Sequence, residues 1–242
     1  IPNLLGDEKP WIPDEVTARD CEKLYQYRKD RYPLHRDDKV LTSWSSLMAA
    51  ACAKGARAAF VMEKQAGEAG THIDSVWSQC LPMAERSLEF IRRHLVDERG
   101  RLHVRYRDGE AAFDGHLDDY AFYALALLQM YRTVFDVSYL EEAVRAAEIM
   151  VEYFFDHKKG GFYLYASDSE QLIARPKDTW DGAMPSGNSA AAHGLCALAA
   201  LTAQEKWIQL RDRQLSFLAG ETKSYPAGYS FSLLAMSEVL YP

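Results

Sequence analysis

The sequence contains no C-x-x-C pair and no His or Cys spacing that would close a zinc site. Its four cysteines, Cys21, Cys52, Cys80 and Cys196, lie far apart in the chain and read as unpaired thiols of a reducing compartment. Cys52 and Cys196 sit in alanine-rich runs, where a thiol behaves as a small apolar side chain. No uninterrupted apolar stretch is long enough to span a bilayer, and the start, Ile1 to Glu8, has neither a basic n-region nor an apolar h-region. The expected location is therefore the cytoplasm, with no membrane partner. G-x-G-x-x-G, P-loop, G-x-S-x-G and H-E-x-x-H signatures are all missing, so neither a cofactor nor a metal is expected. Positive charge is scarce: 28 Lys and Arg against 35 Asp and Glu leave a net charge of −7. That excludes nucleic acid as the main partner, because phosphate binding needs clustered cations.

What the chain does have is apolar surface, 48% of its residues, arranged in two alternating patterns. Residues 119–135 are apolar on almost every side, which predicts a helix buried all round. Residues 138–155 are apolar on one side only, through Leu140, Ala143, Val144, Ala147, Val151 and Phe154. Ser138 reads as the N-cap of this helix, with Glu141 at the capping-box position. The alternation recurs. Segments 44–60, 189–201 and 229–241 read as buried helices, and 76–95 and 205–218 as amphipathic ones. The spacing between buried segments varies too much for a tetratricopeptide array. Two short β-hairpins are expected as insertions, one at 101–107 with the turn Asp108-Gly109, the other pairing 160–166 with 171–174.

Buried helices alternating with one-sided ones predict concentric rings: an all-α (α/α) toroid with inner and outer helices. Residues 1–35 read as an N-terminal extension with a lead-in helix, and 36–242 as the helical-hairpin domain. A full ring has about six hairpins, and this chain supplies about three and a half. An incomplete ring implies either self-association or completion by hairpins outside the sequence.

Three segments resemble the spermatogenesis-associated protein 20 family of thioredoxin-domain-containing proteins. They are Arg36 to Trp44, Leu117-Asp118-Asp119-Tyr120-Ala121-Phe122, and Asp181 to Ser189. Arg107-Asp108-Gly109 and Gly160-Gly161-Phe162-Tyr163 fit the same family. The resemblance covers roughly residues 20–220. It implies a helical toroid similar to the six-hairpin glycosidases and the N-acylglucosamine 2-epimerases. The chain lacks the family's thioredoxin-like domain and early hairpins, which suggests a fragment or a shortened relative.

Inner helices of a toroid begin around one mouth. Asp37-Asp38, Asp118-Asp119, Ser186 to Ser189 and Pro226 to Tyr229 stand at or before such starts. A doubled Asp needs only one member as cap, and paired carboxylates suit glycoside hydrolysis. Asp38 and Asp119 are the expected catalytic carboxylates, with Asp118 as the cap. His193, one turn into an inner helix, is the expected proton shuttle, as inward histidines are in epimerase-like toroids. Trp44, Tyr120, Trp180 and Tyr229 could stack on sugar rings, and Asp118, Asp181 and Asn188 could bind hydroxyls. The expected ligand is a sugar-like small molecule and the expected activity that of a hydrolase or epimerase. A non-catalytic sugar-binding domain and a helical protein-interaction scaffold remain as alternatives.

Overall fold

In a computed structural model of the chain, residues 14–32, 35–66, 79–170 and 173–241 are described. The chain divides into two units, Ile1–Asp38 and Lys39–Pro242. The first unit holds helix α1, Glu15–Arg31. Asp14 caps it by accepting the Thr17 N–H, and Arg28, Lys29 and Arg31 complement the dipole in its last turn.

The second unit alternates inner and outer helices. Strand β1 (Val40–Leu41) leads into α2 (Thr42–Ala66). Outer helix α3 (Cys80–His94) packs on α2. Strands β2 (His103–Arg107) and β3 (Glu110–Asp114) follow, then α4 (Leu117–Val134), α5 (Val137–Phe154), α6 (Gly187–Thr202), α7 (Glu205–Glu221) and α8 (Ser230–Leu240). Helices α2, α4, α6 and α8 pack in that order as the inner layer. Helices α3, α5 and α7 back them from outside. The fold is thus an (α/α) toroid portion of three hairpins and a further inner helix, as the alternation of patterns predicts.

Burial explains the patterns. Helix α4 buries Leu117 and the whole run Asp119 to Met130, and α6 buries Gly187 to Ala199. Both are enclosed by an outer helix and by inner neighbours on either side. Helix α5 buries only one stripe, Tyr139, Ala143, Ala146, Ala147, Met150 and Phe154. Helix α2 departs from expectation, since it is buried on one side only: Ala49 and Ala53 are enclosed while Trp44, Met48 and Phe60 are exposed. It is the first inner helix of the series, and among the described residues α4 is its one inner-layer neighbour.

The two ends of the hairpins differ. Two inner helices, α4 and α6, turn into their outer partners through two residues, Phe135-Asp136 and Ala203-Gln204. In each link the first residue is left-handed, at φ 58° and 53°, and closes the inner helix with a 5→1 amide bond. Asp136, rather than Ser138, caps α5: its carboxylate accepts the Ser138 N–H at 2.9 Å. The returns from outer to inner helices are long and carry the insertions. The 103–114 hairpin forms as expected around Asp108 and Gly109, both at positive φ, and β1 joins it in the order β1-β2-β3.

The second expected hairpin does not form among the described residues, 171 and 172 lying outside them. A single bridge pairs Phe155 with Phe162. Asp156 organises the loop instead, accepting the amides of Lys158 and Lys159, the Tyr163 hydroxyl and Lys177 Nζ. Gly161 must be glycine, because a β-carbon there would lie 2.4 Å from the Phe217 ring at φ +76°. The first residues of the expected 76–95 helix, 76–78, also lie outside the described residues.

Candidate active site

The inner helices begin at one end of the layer, where carboxylates join each helix entrance to the next. Asp119 of α4 accepts the Ser43 N–H of α2 at 3.0 Å and the His116 N–H of its own cap at 2.9 Å. Asp118 accepts the Gly187 N–H at the start of α6. Asp181, before α6, accepts the Ser186 N–H at 2.9 Å and the Phe231 N–H of α8 at 2.8 Å. Amides in a first helical turn have no intrahelical acceptor, and these carboxylates supply one.

This arrangement reverses the expected roles of the aspartate pair. Asp119 is 2% exposed and both its oxygens are engaged by backbone, so it is the cap and the strut. Asp118 is half-buried and feels the charge of Asp178, a residue that sequence reasoning missed. Desolvation and the neighbouring Asp178 carboxylate raise Asp118 to about 6, against the opposing pull of the Gly187 amide. Burial raises Asp119 to about 7, with the His116 and Ser43 amides acting the other way.

Asp178 is held by Asn188. That amide is fully buried and accepts the Phe162 N–H at 2.8 Å. It also donates to the carbonyls of Phe162 at 2.9 Å and Asp178 at 2.8 Å. Gln214 donates to the Asn188 side chain as well. Asn188 therefore positions the loop and has no face left for a ligand.

Two residues beyond Asp178, Trp180 stands half-exposed. It stacks parallel on Tyr225, centroids 5.5 Å apart, and meets Tyr229 edge-on at 5.7 Å. Gly228 lies flat against the indole. The Asp181 N–H donates to the Gly228 carbonyl at 2.8 Å, tying the two loops together. The structure thus brings Asp118, Asp178, Trp180, Tyr225 and Tyr229 to the entrances of α4, α6 and α8. Tyr225, like Asp178, was missed; its place before Pro226, which favours an extended residue, was the available signal.

Other expected site residues lie elsewhere. Tyr120 is 1% exposed, and its hydroxyl accepts the Leu102 N–H at 2.9 Å and Arg101 Nε at 3.0 Å, so it is core and not a sugar platform. His193 bridges α6 to α8, with Nδ1 3.0 Å from Glu238 and Nε2 3.0 Å from the Phe231 carbonyl. Both its ring nitrogens are engaged inside the helix layer. Trp44 is exposed in the first turn of α2. Asp38 does not open that helix: β1 separates it from Thr42, and it ends the first unit. A cleft of about 480 Å³ lies against outer helix α5 and the 96–102 segment and reaches Tyr120 and Tyr123 of α4, without Asp118, Asp178 or Trp180 in its lining. Two of its lining carboxylates are paired outward, Glu142 with Arg92 and Glu148 with Lys206. Among the described residues no three His, Cys, Asp or Glu gather as a metal site, and no helix is long and apolar enough to cross a membrane.

No family model matches the chain. It is 33% identical over 197 residues to rat spermatogenesis-associated protein 20 and 30% identical to the human protein, covering 77% of this chain. It spans 23% of the length of those relatives. Among solved structures it is similar to a family 76 α-mannanase of Bacteroides thetaiotaomicron, TM-score 0.59 at 13% identity, over 93% of this chain and 63% of that one. A cellobiose 2-epimerase of Spirochaeta thermophila aligns with TM-score 0.57 at 13% identity, over 84% and 54%. An inactive α-1,6-mannanase variant of Salegentibacter, with two adjacent aspartates changed to alanine and α-1,6-mannotetrose bound, aligns with TM-score 0.54 at 14% identity, over 85% and 54%. At these identities the solved structures establish the fold.

Proposed function

We propose that this chain, a relative of the spermatogenesis-associated protein 20 family in its six-hairpin glycosidase-like portion, binds a carbohydrate at the inner-helix entrances and hydrolyses it there. The observation that carries the reading is Asp118, a half-buried carboxylate raised to about 6 by burial and by the charge of Asp178, whose own neighbour two residues on, Trp180, stacks on Tyr225. At neutral pH about a tenth of such a group is protonated, which suits a general acid. Glycoside hydrolysis needs a proton donor to the leaving oxygen and a second carboxylate to activate water or attack carbon. Asp118 takes the first role and Asp178 the second. Trp180 and Tyr225 offer an apolar face to the sugar ring.

The similar folds lend support, since mannanases and epimerases use this architecture on sugars. The inactive mannanase variant lacks an adjacent pair of aspartates, and Asp118-Asp119 is such a pair. Fold likeness alone is a weak warrant for chemistry, so the residues carry the reading. The test is titration of the chain with a panel of manno- and gluco-oligosaccharides, following Trp fluorescence and released reducing ends. Binding that Trp180→Ala weakens, with turnover that Asp118→Asn abolishes, is the expected result. Binding without turnover in the unmodified chain would leave a sugar-binding domain. No response to any sugar at millimolar concentration would end the proposal.

A further inference from the structure

Outside the candidate site, the loop after α5 and the middle of α7 border a cleft of about 410 Å³. Lys158, Lys159, Asp212, Arg213, Ser216 and Phe217 line it. Three of these are cations, in a chain whose net charge is −7. The one carboxylate, Asp212, is neutralised by Arg211 at 2.7 Å. Among the described residues, Lys158, Lys159 and Arg213 pair with no carboxylate. The cleft therefore carries uncompensated positive charge.

Its walls are held in shape by the fold. The Asp156 carboxylate accepts the Lys158 and Lys159 amides at 2.8 and 3.1 Å, and the Asp156 carbonyl accepts the Gly160 N–H at 2.9 Å. Gly160 lies so close to α7 that a β-carbon on it would stand 3.0 Å from the Arg213 carbonyl. In return Arg213 donates to the His157 carbonyl, and its guanidinium lies 5.4 Å from the centre of the Phe155 ring. That bond orients the guanidinium and occupies one of its five N–H groups. Ser216 also has bonding capacity to spare. A helical hydroxyl can return to the carbonyl four residues back, as Thr202 does to Leu198 at 2.7 Å. The Ser216 hydroxyl makes no such bond among the described residues.

We infer that this cleft is an oxyanion site that binds a phosphoryl dianion, either free phosphate or the phosphoryl end of a small ester. Charge and donor geometry select that class. A phosphate monoester carries about −1.5 to −2 charges at neutral pH and three strong acceptor oxygens. Two ammonium groups, a forked guanidinium and a hydroxyl supply the matching donors. A monocarboxylate would leave cations unmatched. The side of Phe217 that borders the cleft offers apolar contact to the organic part of an ester. Nothing in this arrangement involves Asp118 or Trp180, so the site stands or falls apart from sugar binding.

The experiment titrates the whole chain, labelled with nitrogen-15, with inorganic phosphate and with glycerol 3-phosphate at constant ionic strength. Glycerol and sodium acetate serve as controls. The expected result is a saturable shift of the amides of Lys158, Lys159, Gly160, Arg213 and Ser216 with both phosphates and with neither control. Tighter binding of the ester would assign the site to phosphorylated small molecules, and equal binding would assign it to free phosphate. The double variant Lys158→Ala, Lys159→Ala removes two exposed side chains and should melt like the unmodified chain. It should bind phosphate about tenfold more weakly, as expected for losing charge-assisted hydrogen bonds. Arg213→Gln keeps a donor for the His157 carbonyl and should weaken binding to a similar degree. Shifts that rise linearly without saturation would overturn the inference. So would shifts confined to other amides, an equal response to acetate, or undiminished binding by the folded double variant. The unmodified chain is itself mapped, so misfolding of a variant does not obscure the outcome.

Discussion

Asp118 and Gly187 are in such close approach that a β-carbon on the glycine would lie 2.3 Å from the Asp118 carboxylate oxygen. The same atom would press on Leu117 at 2.9 Å, so the contact cannot be relieved by a flexible side-chain end alone. Gly187→Ala should push Asp118 off the α6 amide and cost about 1–3 kcal/mol, the usual range for overpacking. Thermal melting measures the cost, and NMR titration of the Asp118 carboxyl detects the displacement. An unchanged titration would mean that the contact does not set the state of Asp118.

Asp119 gives a pH dependence whose sign follows from burial. Its folded pKa is raised to about 7 from an unfolded value of 3.8, so the folded chain holds a proton that the unfolded chain releases. Its contribution is greatest below about pH 4 and declines as pH rises to about 7. His116, whose pKa is lowered by burial, acts in the opposite direction near its unfolded value of 6.5. Comparing urea midpoints of the unmodified chain and Asp119→Asn cancels the histidine. The difference should shift toward the variant between pH 5 and 7.5 by about 2 kcal/mol, on the order expected for a deeply buried carboxylate. A difference that is flat across that range would refute the assignment.

Asp156 behaves in the reverse sense. Lys177, two backbone amides and Tyr163 hold its carboxyl below the usual range. Its stabilisation is full above the unfolded pKa and is lost as acid drives the pH down through the lower folded value. Asp156→Ala leaves Lys177, whose side chain is 14% exposed, with only the Gly160 carbonyl as acceptor, and should cost about 3 kcal/mol, near the low end for breaking a buried pair. A loss below about 1 kcal/mol, the range of surface pairs, would show that water replaces the carboxylate.

Gly228→Ala tests the aromatic platform without touching its rings. The added carbon would sit 2.4 Å from the Trp180 indole. The stack on Tyr225 should open, near-UV circular dichroism should weaken, and any sugar affinity should fall about tenfold, equivalent to roughly 1.4 kcal/mol. Retention of the aromatic signal would place the strain in the Gly228 backbone instead.

The inner layer leaves apolar side chains bare at both flanks: Met48 and Phe60 on α2, Leu234 and Leu240 on α8. Self-association through these flanks is expected, because soluble monomers rarely tolerate large contiguous apolar patches. Light scattering should report a mass above one chain that falls on dilution. A single-chain mass at all concentrations would leave the flanks to other hairpins.

The order of helices was legible because burial on every side and burial on one side leave different apolar patterns in α4 and α5. The helix ends were legible less often. Ser138 looks like a cap, yet the cap of α5 stands two residues earlier because Asp136 follows a left-handed Phe135. Which of Asp118 and Asp119 faces the site could not be read, since adjacent helical residues diverge by about 100° and the answer depends on where α2 and α6 start. Tyr120 misled for a related reason: the amide that consumes its hydroxyl belongs to Leu102, on the far side of a hairpin. Asp178 carries no periodic signal because it lies in a loop fixed by the distant Asn188.

The carboxylates at the helix entrances also constrain how such a domain can change over time. Asp119 and Asp118, both at the start of α4, serve α2 and α6, and Asp181, just before α6, serves α8, so these entrances carry plugs shaped for particular neighbours. A hairpin transplanted to another position would bring its plug and find no matching socket. Reordering is therefore penalised, whereas the long returns between outer and inner helices, which contribute no plug over most of their length, are free to grow. New specificities in this architecture should arise by lengthening loops at the entrance end and not by shuffling its repeating units.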